Sequence, residues 1–186
     1  MGKGLVVVAA VVGVALAGCS GGGTDQSPQP QPQSGPPPAP AVPARTAPAK
    51  SLDVADKCSL VPAQEARQLG ADQPPIPADA NGQPGCRYRA GMAGSGGWAV
   101  NVAPDATKTM AQFQQNYRSQ AKPTTIDGYP AVVVQPVPQN CYIALDVSDH
   151  GLLLTGGQAR PGGQPADPCQ KATEFAQAAL KNLPNA

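Results

Sequence analysis

The chain has 186 residues, with 13 Lys and Arg against 12 Asp and Glu and a formal charge of +1. Charges of both signs are interspersed, which excludes the electrostatic footprint of a nucleic-acid binder or of a domain held on an anionic membrane face. Aromatics are 4% of the residues and none precedes Tyr88, so the folding part is expected late in the chain.

Residues 5–17 are apolar and small, behind a thin positive lead of Lys3 and the α-amine. A helix of about 13 residues rises roughly 20 Å, short of the ~30 Å hydrocarbon core, so the segment suits a secretory signal better than a permanent span. Leu16-Ala17-Gly18-Cys19 matches the lipobox of bacterial lipoprotein precursors at all four positions. Small residues at 17 and 18 let the extended backbone enter the peptidase, and the thiol of Cys19 is the group that takes the lipid. Residues 1–18 are therefore read as a signal peptide and Cys19 as the lipidation site. The expected location is the outer face of the cell membrane, held there by a lipid anchor. Removal of Lys3 with the leader leaves the charges balanced.

Residues 19–50 hold the lipidated cysteine and then Gly, Gln-Pro and Ala-Pro runs with no aromatics. Nothing in them offsets the entropy of ordering, so they read as a tether, ~30 Å long as a relaxed coil and ~95 Å in polyproline II form. Residues 51–186 are long enough for one globular domain.

Four cysteines fall in that domain: Cys58, Cys86, Cys141 and Cys169. An even number in an exported domain implies disulfides. No two lie at zinc-ligand spacing and the one histidine, His150, has no metal-binding partner nearby, so no metal or cofactor is expected. Four cysteines allow three pairings, and the sequence alone does not choose among them. The preferred pairing is Cys58–Cys86 with Cys141–Cys169, because each then closes a loop of 28 residues within one supersecondary unit.

Along the domain, residues 63–69 read as a helix, with Pro62 at its start and Gly70 at its end. Residues 72–85 contain four prolines and no periodicity, and read as loop. Residues 86–90 alternate with Cys86, Tyr88 and Ala90 inward and Arg87 and Arg89 outward. Residues 98–102 alternate with Trp98, Val100 and Val102 inward, beyond a glycine-rich hairpin connection. Asp105 or Thr107 is expected to cap a helix carrying Met110, Phe113 and Tyr117 on one face. Strands follow at 124–126, 129–135, 141–147 and 152–154, with turns at Asp127-Gly128 and at residues 148–151. Asp167 caps a final helix, with Pro168 at its first position and Gln170 completing a capping box. In that helix Cys169, Ala172, Ala176, Leu180 and Leu183 share one face. The order lacks βαβ repeats, which predicts an α+β domain: an antiparallel sheet of about five to six strands with three helices, stabilised by disulfides.

The lipobox, the Cys-Ser-Leu-Val-Pro-Ala-Gln-Glu-Ala start, the Cys-Arg-Tyr strand, the Asn-Cys-Tyr-Ile-Ala-Leu-Asp-Val strand and the terminal Asp-Pro-Cys helix resemble an actinobacterial lipoprotein family with the domain of unknown function DUF3558. The resemblance spans Cys58 to Leu183, and the four-cysteine framing is its most specific part. It implies a sheet covered by helices, of the Mog1/PsbP-like type, an envelope location and no established catalytic residues. Val61 departs from it, since such proteins usually have Ser or Thr capping the first helix there.

No site for chemistry stands out. His150 beside Asp149 is the one candidate acid–base pair, but adjacent turn residues point apart and no nucleophile motif accompanies them. The cysteines form no C-x-x-C redox pair. Arg87 and Arg89 read as a solvated face able to receive an anion, and Trp98 as core. The expected function is a non-catalytic binding or accessory module that engages a cell-wall component, a small ligand or an envelope protein. The alternative is an envelope enzyme of hydrolase type with an unrecognised site. Oligomeric state is not legible.

Overall fold

The computed structural model describes residues 40–80, 82–92, 94–162 and 166–186. Cys19, the segment read as a signal peptide and residues 20–39 of the stretch read as a tether lie outside them. Among the described residues seven strands form one antiparallel sheet: β1 Ile76–Ala80, β2 Gln83–Ala90, β3 Trp98–Asp105, β4 Lys122–Ile126, β5 Tyr129–Val137, β6 Asn140–Leu145 and β7 Leu152–Ala159. Their order across the sheet is β1-β2-β3-β7-β6-β5-β4. Three helices accompany them: α1 Ala63–Gln68, α2 Met110–Asn116 and α3 Pro168–Asn182.

Seven strands replace the expected five to six. The added one, β1, falls in the proline-rich stretch read as loop. It is an edge strand, where proline is tolerated because a missing N–H can face away from the ladder. Pro77 pairs with Cys86 and Asp79 with Pro84, so both prolines sit in the edge hairpin. Strand β7 also runs past Leu154 through Gly156 and Gly157 to Ala159, paired on both sides.

The alternation read from the sequence separates the two faces. Tyr88, Val100, Val102, Ile143, Leu145 and Leu153 turn to the inner face and form the main core with α3. Helix α3 starts as its residues dictate, with Asp167 Oδ1 accepting from the N–H groups of Cys169 and Gln170. The expected capping box does not form there, and the Gln170 side chain turns the other way, its Nε2 donating to Glu174 Oε1 one turn on. Phe175, Ala176 and Ala179 are fully buried, and the Phe175 ring lies 4.8 Å from Tyr88 and 5.4 Å from Trp98. Trp98 is core, as expected, at 5% exposure. A side chain at Gly157 would collide with the Pro168 carbonyl, so glycine lets the start of α3 lie against β7.

On the outer face, Met110 and Phe113 of α2 cover Val132, Val134, Ala144, Leu152 and Leu154. The cap of α2 is Thr109, in a capping box with Gln112, rather than Asp105 or Thr107. Asp105 instead closes the preceding turn, accepting from Thr107 N and Oγ1 at 2.9 and 2.7 Å. Val61 is fully buried, and Pro62 stands at the helix start with no side-chain cap.

The disulfides join Cys58 to Cys86 and Cys141 to Cys169. The first ties the 3-10 turn Lys57–Leu60 to β2, and the second ties β6 to the start of α3.

Residues 40–50 belong with the domain rather than with the tether. Thr46 N and Ala47 N donate to Gly128 O, Tyr129 Oη donates to Pro48 O at 2.7 Å, and Lys50 N donates to Val147 O. Gln114 Nε2 donates to Pro40 O, and Val42 packs on the α2 cluster. Arg45 pairs with Asp149 and lies 3.9 Å from Asp146. Composition made this segment look unable to pack. Its few apolar groups and its backbone are instead taken up by a domain surface that offers partners.

Candidate functional site

Cross-strand register builds the open part of the outer face row by row. The row under α2 is apolar: Ala103, Leu154, Ala144 and Val132 stand opposite one another on β3, β7, β6 and β5. The next row is Arg87, Asn101, Gly156 and Tyr142, across β2, β3, β7 and β6. The row beyond is Arg89, Ala99, Gln158 and Asn140. Polarity therefore changes at the edge of the helix, and the next two rows carry hydrogen-bonding side chains at all positions but Gly156 and Ala99.

The middle row forms a trough of about 240 Å³. Gly156 is its floor, with the Tyr142 ring beside it at ordinary contact distance. Tyr142 is half-buried and its other neighbour is Tyr117, stacked at 6.2 Å with a 27° tilt. Arg87 Nε donates to Asn101 Oδ1 at 2.8 Å, which fixes the amide of Asn101 and keeps its NH₂ out of that bond. Asp79, Asn140 and Gln158 complete the rim. The trough presents amide, carboxylate and guanidinium groups beside one aromatic ring.

Residues 14–182 match the family described as "Protein of unknown function (DUF3558)". The chain belongs to that family. No curated protein and no solved structure matches it.

In this DUF3558 chain a second recess, of about 920 Å³, lies beyond the far row at the hairpin end of β2. Its wall includes Asp72, Gln73, Arg89, Met92, Arg160 and Pro161. Arg87 and Arg89, read from the sequence as an outward face, thus enter two different recesses. The remaining candidates disperse. His150 is exposed in its turn, and the Asp149 carboxylate is engaged by Arg45. All four domain cysteines are consumed in disulfides. Among the described residues no group of three or more His, Cys, Asp or Glu is placed to hold a metal ion, and no helix is long and apolar enough to cross a membrane.

Asn101, Asn140, Tyr142, Gln158 and Arg160 were not singled out by the sequence. Asn101, Asn140 and Tyr142 occupy outward positions beside inward positions that were legible, and Gln158 lies in the part of β7 beyond the strand that was read. The missing information was which strands are neighbours.

Proposed function

We propose that this chain is a lipid-anchored envelope protein, tethered through Cys19, whose domain is a non-catalytic binding module. Its trough receives a cell-wall component. The observation that carries the reading is the row Arg87–Asn101–Gly156–Tyr142, in which polar groups converge on a glycine floor beside an aromatic ring. Planar amides, that of Asn101 fixed by Arg87, and a guanidinium match the closely spaced hydroxyl and amide groups of a glycan, and an aromatic face packs on its C–H surface. A hydrolase would need a nucleophile held by a base, and the Asp149 carboxylate that could orient His150 is turned to Arg45. The lipoprotein setting is supported by the Leu16–Cys19 motif, which falls inside the matched residues, and by two disulfides, which persist in oxidising compartments. The actinobacterial origin and the Mog1/PsbP-like type of the fold belong to the same proposal.

Binding of the full chain to soluble cell-wall glycan fragments tests the site. Asn101→Ala and Tyr142→Leu are each expected to lower affinity about tenfold, which is ~1.4 kcal/mol, with the fold intact by circular dichroism. Wild-type affinity in both variants would sink the trough as the site. The anchor is tested separately: Cys19→Ala is expected to abolish labelling by a fatty-acid analogue and to leave precursor or released protein. Label that persists in that variant contradicts lipidation at Cys19.

A further inference from the structure

The recess at the hairpin end of β2 is built around one backbone unit. Gly91 donates its N–H to Asp72 Oδ2 at 2.9 Å, and its carbonyl accepts from Gln73 Nε2 at 2.8 Å and from Arg160 Nη1 at 3.2 Å. Gly91 has a φ of +79°, and a side chain there would run into Gly96, so the hub depends on glycine. These bonds hold Asp72 by one carboxylate oxygen and the Arg160 guanidinium by one of its donors. The remaining donors of Arg160 are left for another partner.

Arg89 is in a different state. Its Nε is shielded from solvent and has no hydrogen-bond partner among the described residues. No ion pair among those residues joins it to Asp72, although both line the recess. A desolvated donor on a charged group is costly to leave unmade. Two guanidinium groups, one with an unpartnered Nε and one held at Nη1, therefore line a cavity large enough for a small organic molecule. Against them stands one carboxylate, so the recess carries a net single positive charge. Two apolar side chains also line the recess, Met92, which is 76% exposed, and Pro161. Methionine is the side chain best able to adapt to an apolar ligand of unspecified shape.

We propose that this recess, separate from the trough, binds a small ligand in which a carboxylate is carried on an apolar group, with the carboxylate between Arg89 and Arg160 and the apolar part against Met92 and Pro161. A single charge neutralises the recess, and the planar carboxylate fits the guanidinium fork. A doubly charged phosphate would exceed the local charge and meet Asp72.

The test uses the purified full chain in isothermal titration calorimetry with octanoate, octanol, acetate and octyl phosphate as probes. Octanoate is expected to saturate at one per chain, with the other three at least tenfold weaker. Arg89→Met and Arg160→Met keep the apolar stems and remove the charges. Each is expected to weaken octanoate at least tenfold and to leave octanol unchanged. Arg118→Met, at an exposed arginine past the end of α2, is expected to bind octanoate as the wild type does. Should Arg89→Met not fold, Arg160→Met carries the same test. The proposal is overturned by an absence of saturable octanoate binding, by octanol or octyl phosphate binding as tightly as octanoate, or by wild-type affinity in Arg160→Met.

Discussion

Thr155 lies in β7 between Val102 and Ile143, 2% exposed, with no hydrogen-bond partner for its Oγ1 among the described residues. An unpaired buried hydroxyl is a standing cost, so Thr155→Val, which replaces it with a methyl group of similar size, is expected to raise stability by about 1 kcal/mol in urea unfolding. Gly157 is the opposite case. Gly157→Ala would drive a methyl group into the Pro168 carbonyl and is expected to lower stability by about 2–3 kcal/mol. Asp105 sets an acid-dependent contribution. Burial alone would raise its carboxyl, but the hydrogen bonds from Thr107 and the pairing with Lys108, at 3.1 Å, outweigh burial and hold it below its ordinary range. The folded form therefore binds a proton less readily than the unfolded form. The stability this contributes is fully present above about pH 4 and is lost as pH falls. Asp146 works in the other direction, since burial raises its carboxyl against the opposing pull of Arg45, and acid relieves it. The difference between wild type and Asp105→Asn in urea midpoints from pH 7 to pH 3 isolates the first effect. The two are expected to converge toward low pH, with wild type more stable at pH 7.

At the scale of elements, the boundary of the domain moves. Composition places the tether up to residue 50, whereas residues 40–50 give backbone N–H groups to Gly128 and Val147 and receive the Tyr129 hydroxyl at Pro48. Each such bond contributes about 1 kcal/mol net, and Val42 adds apolar burial. Deletion of residues 40–50 is therefore expected to lower stability by about 2 kcal/mol or more. Scrambling residues 20–39 is expected to leave the melting temperature unchanged, because that stretch of Gly, Pro and Gln has almost nothing to bury. An equal loss from both changes would mean that the earlier segment also packs. Strand β1 escaped the sequence for a related reason. Proline argues against a central strand, and only the neighbour β2, on one side, shows that an edge was available.

For the whole molecule, the two bridges act on the unfolded chain. Each closes a 28-residue loop, and the chain-entropy model gives roughly 3–4 kcal/mol for such a loop. Replacing either pair by alanines is expected to cost about 3 kcal/mol in urea unfolding. A domain with so few aromatics is expected to be marginal once both are gone. By itself the sequence determined what depends on neighbours along the chain: the strand alternation at Tyr88, Val100 and Ile143, the Asp167 cap of α3, the turns, and loops short enough to favour local cysteine pairing. The tertiary structure alone decided what depends on neighbours across it. It set Arg87, Asn101, Gly156 and Tyr142 in one row, took Gly156 and Gly157 into a paired strand, and laid residues 40–50 along the domain. The physical reason is that alternation fixes which face a side chain takes, whereas strand order and register fix what stands beside it, and a binding site is made of the second.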